Sequence, residues 1–287
     1  MALSAKALHP LFAAELSGID IRQPLDRAAV AEIEAAFRRH GVSVFRNDPP
    51  LSDEEHLAFA GSFGPLQRQT IVATLGAKLR LKYPNLIDVG NLAVDGSILP
   101  EDDRRRAFNR GNLLWHTDAS FDINRAVFSM LSAQIPAEGA DTEYADMRAV
   151  YEALPAKTKS QIDGLIAEHS IWHSRALAGM ASTPEEQKTR PPARHMLVHV
   201  HPGSGRKALY LASHVSHIVG WPVEQGRVLL KELTEFATQP QFVYRHTWRR
   251  GDLVVWDNLC TMHRGIPFDD TVRPRDMRRA TTLEVAA

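Results

Sequence analysis

Apolar positions recur along the 287-residue chain at two spacings, one helical and one strand-like. Between Asp26 and His40, Val30, Ile33, Ala36 and Phe37 share one face of a 3.6-residue period. Gly41 stands just past them, so a helix is predicted there. The segment VSVFR (42–46) that follows is β-branched and aromatic and reads as a strand. Ser52 and Glu55 have the S-x-x-E spacing of a capping box, which predicts a second helix with Leu57, Ala60 and Phe63 on its apolar side. Further helices are predicted over 148–154, 157–165 and 223–237. Short strands are predicted over 127–135, 142–145, 196–200, 208–211, 242–246, 253–256 and 279–283. Strands and helices do not alternate regularly, which argues against a doubly wound sheet and for a mainly β fold with helical additions. No internal repeat or low-complexity linker divides the chain, so 1–287 reads as a single domain. The least structured stretch is 174–194, with Gly179, Pro184, Pro191 and Pro192 among several charges. It reads as a lid insertion or as a solvated insertion.

Composition narrows the classes. At 44% hydrophobic and 24% charged residues, the chain has the means to bury a large core. Lys+Arg 34 balances Asp+Glu 34, so no broad basic field exists to attract nucleic acid or anionic lipid. Cys260 is the only cysteine, which excludes an intramolecular disulfide and an all-cysteine metal cluster. No stretch approaches 18 apolar residues, and the N-terminus lacks the organisation of a secretion signal. A cytoplasmic protein is the expectation.

The chemistry concentrates in two places. L-L-W-H-T-D places His116 and Asp118 two apart, and in extended chain such residues point to one face. W-D-N-L-C-T-M-H-R supplies His263 far downstream. Two histidines and one carboxylate on one face of an iron leave positions open for a co-substrate and O₂. The same residues suit a hydrolytic zinc centre, or a core histidine hydrogen-bonded to a neighbouring carboxylate. Beyond His263 comes a basic run of Arg264, Arg273, Arg275, Arg278 and Arg279. On a strand, Arg275 and Arg279 share a face, and guanidinium groups beside a metal would grip an acid. The alternative is a solvated, charged surface. H-P-G-S-G-R-K has neither the G-x-S-x-G elbow nor the Walker A spacing, and reads as a hairpin turn.

Taken jointly, H-T-D, W-D-N-x-x-x-x-H-R and R-x-x-x-R-A-T resemble the TauD/TfdA family of Fe(II)/2-oxoglutarate dioxygenases, over nearly the whole chain. Segments such as LHPLFAAELSGIDIR and GDLVVWDNLCTMHRG are most similar to the branch that oxidises 2,4-dichlorophenoxyacetate. The resemblance implies a double-stranded β-helix, or jelly roll. It implies Fe(II) on His116, Asp118 and His263, and 2-oxoglutarate held at its far carboxylate by Thr142 and Arg275. Arg279 matches an arginine that contacts substrate or co-substrate, and Asn112 a substrate-side asparagine. Retention of Asp118 favours hydroxylation, since halogenating relatives have a small residue there. The implied reaction consumes O₂ and gives succinate and CO₂, with ascorbate as an assay additive and a homodimer or higher assembly as the working form. The implied substrate is a small acid, an aryloxyalkanoate cleaved to a phenol and glyoxylate, with a sulfonate or alkyl sulfate as the alternative. One departure stands out: Val72 lies where the phenoxyacetate branch has a lysine. Lys82, His201 and His214 are then the remaining polar groups for a substrate acid, with a surface or structural role as the alternative for each. A zinc hydrolase or a non-catalytic binding protein on the same fold are the alternatives from other classes.

Overall fold

The computed structural model describes residues 3–70 and 79–285, and Val72 lies outside them. Its largest sheet has seven strands: β1 (Ser4–Ala7), β2 (Ala14–Ser17), β3 (Val42–Arg46), β4 (Ile87–Asp88), β5 (Ala126–Ile135), β13 (Asp252–Asp257) and β15 (Asp276–Leu283). They run in the order β1-β2-β3-β13-β5-β15-β4, antiparallel except where β2 meets β3. A second sheet sets β6 (Thr142–Asp146) between β12 (Val243–His246) and β14 (Thr261–Gly265). The smaller sheets are β7 (Ile166–His169) between β8 (Ala193–Met196) and β11 (Val215–Ile218), and β9 (Val198–Val200) paired with β10 (Lys207–Leu209).

Period-two alternation sorts the side chains of the large sheet into two cores. Leu253 and Val255 of β13, with Phe128 and Met130 of β5, face the helices Arg27–His40 and Asp53–Gly61. There Phe37 meets Phe63 and Phe128 in tilted and edge-on contacts at centroid distances of 5.1 and 5.3 Å. Such pairs contribute about 0.5–1.5 kcal/mol each beyond area burial. Val254 and Trp256 point the other way, as do Leu131 and Met277, and meet Tyr144 of β6. That second core joins the two sheets, and the candidate site lies at its edge.

The first two helical forecasts hold in detail. Asp26 caps the helix Arg27–His40, and Gly41 closes it at φ +68°. Ser52 and Glu55 form the reciprocal capping box. We expect Ser52→Ala to lower the unfolding free energy by about 1 kcal/mol. Denaturant titration checks this, and an unchanged midpoint would show that the cap contributes nothing.

Three expectations change. The forecast helix 157–165 is Ala156–Ile162, because Gly164 takes φ +74° and turns the chain into β7. The forecast strand 196–200 is two strands, since Leu197 bonds to Leu165 and Tyr210 while the chain passes from one sheet to the next. The stretch 174–194 is not a bare loop: it holds the end of the helix Ile171–Leu177, the helix Pro184–Thr189 with its Thr183–Glu186 capping box, and the start of β8. Local hydrogen bonding by Thr183 and Glu186 outweighs the proline and glycine content on which that reading rested. Among the described residues, no helix is long and apolar enough to cross a membrane.

Candidate metal centre and its two cavities

His116 and His263 face each other in a single antiparallel bridge. His116 N donates to the His263 carbonyl at 2.9 Å, and His263 N returns the bond at 2.8 Å. Directly opposed residues of an antiparallel pair project to the same face. The two imidazoles therefore lie side by side, 4.1 Å between centroids. His263 sits on β14 opposite Tyr144, so its ring points into the space between the sheets. It packs against Trp256 at 4.7 Å and stacks on Tyr144 at 6.0 Å.

Asp118 arrives differently from the forecast. The chain pairs with a neighbouring strand only at His116 and then turns, with Ala119 at φ +47°. A non-glycine residue in that left-handed region costs on the order of 1–3 kcal/mol. The turn swings the carboxylate beside both rings, 3.8 Å from each Nε2. Ser129 Oγ donates to Oδ2 at 2.7 Å, and Arg279 Nη1 donates to Oδ1. The W-D-N motif explains itself here. Asn258 Oδ1 accepts from Asp118 N and Trp256 Nε1, both at 3.1 Å, and Asn258 Nδ2 donates to Ser129 Oγ at 3.0 Å. Ser129 and Asn258 thus fix the carboxylate, and the sequence reading assigned neither of them.

The donor set suits a divalent cation. One ligand atom from each of His116, Asp118 and His263 lies within 4.8 Å of the others, all three residues buried. Burial lowers the His116 pKa to about 4, and pushes His263 down as well. Burial alone would raise Asp118, but Arg279 and then the imidazoles outweigh it and hold the carboxyl down to about 2. At neutral pH the cluster is two neutral imidazoles and one carboxylate, the protonation state a metal requires. His116 Nδ1 lies 2.8 Å from the Leu114 carbonyl, which leaves Nε2 as the free lone pair.

Two cavities meet at this cluster. The first, of about 260 Å³, is lined by Thr142, Arg275, Leu131 and Trp256. Pockets for small ligands run from roughly 300 Å³ upward, so it suits a compact molecule. Arg275 lies just before β15 and Arg279 on it, and both line this cavity, although the register shift between Asp276 and Met277 means that a regular strand spacing is not what brings them together. Arg275 Nη1 donates to the Val89 carbonyl at 2.8 Å, its Nε has no partner, and burial lowers its pKa to about 10. Thr142 Oγ1 accepts from Trp248 Nε1 at 3.0 Å. The second cavity is lined by Asp118, Phe108, Phe121, Ile171, Arg175 and His214, among others. Asn112, His116 and Arg279 border both.

The remaining forecasts divide. Asn112 and His214 do line the second cavity, and the His214 ring lies 5.9 Å from that of His116. Lys82 does not: it is exposed, bonded to Tyr83 at 2.9 Å, and borders neither cavity. His201 is wholly buried elsewhere, its Nε2 2.9 Å from Asp257 Oδ2 and its Nδ1 2.7 Å from Ser204 Oγ. Its bonds to Asp257 and to the hairpin serine use both ring nitrogens, so it serves the fold. We expect His201→Ala to reduce stability by about 1–3 kcal/mol, since it removes one partner of the buried Asp257 carboxylate and leaves it Arg38 and the Leu259 amide, while co-substrate affinity is unaltered. A thermal melt beside a binding titration separates the two.

The sequence reading also missed Arg175. It lies on the buried side of Ile171–Leu177 with Ile171, Trp172 and Ser174. An arginine four residues after an isoleucine on an apolar helix face was the signal available.

A family model described as taurine catabolism dioxygenase TauD, TfdA family matches residues 4–281. The chain is 47% identical over 288 residues to the alpha-ketoglutarate-dependent 2,4-dichlorophenoxyacetate dioxygenase of Cupriavidus pinatubonensis, covering 100% of this chain and 99% of that one. It is 30% identical over 274 residues to an alkylsulfatase of Acinetobacter baylyi, covering 92% and 80%. The crystal structure of AAD-2 in complex with Mn(II) and N-oxalylglycine superposes with a TM-score of 0.93 at 43% identity, over 99% of both chains. The chain belongs to the TauD, TfdA family of dioxygenases.

Proposed function

We infer that this protein is an Fe(II)- and 2-oxoglutarate-dependent dioxygenase that hydroxylates an aryloxyalkanoate, cleaving its ether to a phenol and a 2-oxoacid such as glyoxylate. The observation that carries the reading is the meeting of two cavities at His116, Asp118 and His263, one of them holding Arg275 and Thr142. A zinc hydrolase has no use for that second set. We read the seven-stranded sheet and the β12-β6-β14 sheet as the two halves of a jelly roll, and 1–287 as one domain. The working form we take to be a homo-oligomer in the cytoplasm.

Fe(II) held by the triad, with 2-oxoglutarate, supplies an O₂-derived hydroxyl to a C–H bond as the oxoacid becomes succinate and CO₂. The chain's own residues do the rest. Arg275 and Thr142 grip the far carboxylate of 2-oxoglutarate and fix its other end toward the triad. Arg279, Ser129 and Asn258 keep Asp118 charged and oriented. Phe108, Phe121 and Ile171 give the second cavity an apolar wall for an aryl ring and exclude water. Hydroxyl placed on the carbon beside an ether oxygen gives a hemiacetal, which collapses to the phenol and the 2-oxoacid. The aromatic walls and the greater identity to the 2,4-dichlorophenoxyacetate enzyme favour this over a sulfonate or sulfate ester.

The test is an anaerobic Fe(II) plus 2-oxoglutarate titration, followed by succinate measurement across a panel of aryloxy acids, sulfonates and sulfate esters. We expect a metal-to-ligand absorption band and succinate coupled to aryloxy acids. No band and no succinate would sink the oxygenase reading. Coupling to sulfonates alone would keep the oxygenase and overturn the substrate.

A further inference from the structure

Buried and half-buried arginines among the described residues are, as a rule, neutralised. Arg80 bonds Asp88 and Asp276, Arg106 bonds Asp270, Arg148 bonds Asp146 and Arg190 bonds Asp122. Arg279 is committed to Asp118. Arg175 breaks the pattern. It is only 4% exposed, yet no carboxylate among the described residues lies within ion-pairing distance. Its Nη1 donates to Ser174 Oγ at 3.2 Å, its Nη2 makes a long 3.4 Å bond to Asn112 Oδ1, and its Nε has no partner. Burying an unpaired charge is costly. Among the described residues, Arg275 is the other enclosed guanidinium without an acid, and it faces the cavity assigned to a dicarboxylate.

The surroundings are built around this cation. Its guanidinium lies over the Phe108 ring at 4.1 Å, a cation–π contact that offsets part of the lost hydration. Gly111 makes the space: a Cβ there would stand 1.9 Å from Arg175 Nη1. Arg175 lines the second cavity together with Asp118, and its charge is felt at both His116 and Asp118.

We propose that Arg175 is the carboxylate receptor of the substrate cavity, positioning the acid group of an aryloxyalkanoate so that the adjoining carbon faces the triad. This rests on the aryloxyalkanoate reading above. The geometry suits that substrate: its reactive carbon lies between carboxylate and ether oxygen, so the group that grips the acid must stand close to the metal ligands. Arg279 is less suited because Asp118 already holds it. Among the described residues, each cavity then has one enclosed guanidinium without an acid partner, Arg275 for the co-substrate and Arg175 for the substrate, while the unpaired Arg110 and Arg68 at their margins are exposed. Arg175 also stands in for a cation that the sequence does not supply at Val72 or place at Lys82.

The experiment compares binding of phenoxyacetate and its neutral amide, by calorimetry, to the full chain loaded with Mn(II) and N-oxalylglycine. Wild-type protein should prefer the acid. Arg175→Gln should lose that preference by on the order of 10- to 100-fold, as for a buried charge-assisted pair. Arg175→Lys should restore part of it, and Gly111→Ala, which displaces the guanidinium without removing it, should mimic the loss. N-oxalylglycine affinity should stay unchanged in all three. The melting temperature of Arg175→Gln should not fall, because an unpaired buried charge has been removed; a structural arginine would give the opposite. A preference for acid that survives Arg175→Gln overturns this assignment alone. Wild-type protein that binds N-oxalylglycine but neither phenoxy compound overturns the aryloxyalkanoate reading and this assignment with it.

Discussion

Replacement of His263 by alanine should reduce succinate formation by on the order of 1000-fold or more and strip the metal. Groups that merely orient a metal ligand commonly contribute 10- to 100-fold, so loss of a ligand itself should exceed that range. The effect should be larger than for most ligand substitutions because the carboxylate is already shared among Arg279, Ser129 and two imidazoles. Little is left to take over the vacated position. Alanine also removes a ring wedged between Trp256 and Tyr144. His263→Gln, which keeps most of the volume, therefore belongs beside it. Both variants should retain the far-ultraviolet circular dichroism of the wild type while losing bound metal. A His263 variant that still binds one metal per chain and turns over at the wild-type rate would remove His263 from the site.

The second large effect is expected at Arg275. Truncation to alanine should weaken 2-oxoglutarate by about 100-fold, within the 2–5 kcal/mol expected when a buried charge pair loses one partner. The loss should fall on affinity for the dicarboxylate. A 2-oxoacid without the far carboxylate should bind wild type and variant alike, because it never used the guanidinium. Equal weakening of both oxoacids would mean that Arg275 shapes the cavity rather than recognising charge. Unchanged affinity for 2-oxoglutarate would assign the far carboxylate to another residue of that cavity.

How much of this was legible beforehand follows from the range of each interaction. The capped helices after Asp26 and Ser52 were readable because their signals are local: one side chain bonding backbone three residues away. His116, Asp118, His263, Thr142, Arg275 and Arg279 were readable as a pattern only when taken jointly, and the structure draws all six around the two adjoining cavities. Their delivery was not readable. The bridge between His116 and His263, and the turn at Ala119, depend on partners far apart in sequence. Lys82 and His201 stood as substrate candidates beside a surface or structural role for a related reason. Charge and residue type are visible in a sequence, whereas burial and an existing partner are not. His201 was already committed to Asp257, and Lys82 faces outward. Arg175 escaped because its helix lies within a stretch rich in glycine, proline and charge, where the helical period is short and easily masked.

The bridge between His116 and His263 has a consequence for how the centre tolerates different ions. The spacing of the two imidazoles is set by a reciprocal pair of amide bonds at 2.9 and 2.8 Å, not by side-chain rotamers alone. That part of the geometry is a fixed jaw. Asp118 stands on a turn and is held there by the side chains of Ser129, Asn258 and Arg279 rather than by strand pairing. A cation of larger or smaller radius would then have to be met mainly at Asp118, the one member of the cluster whose place is not set by that bridge. Mn(II) and Fe(II) should accordingly occupy the same seat, with the difference in size absorbed along the Asp118 arm.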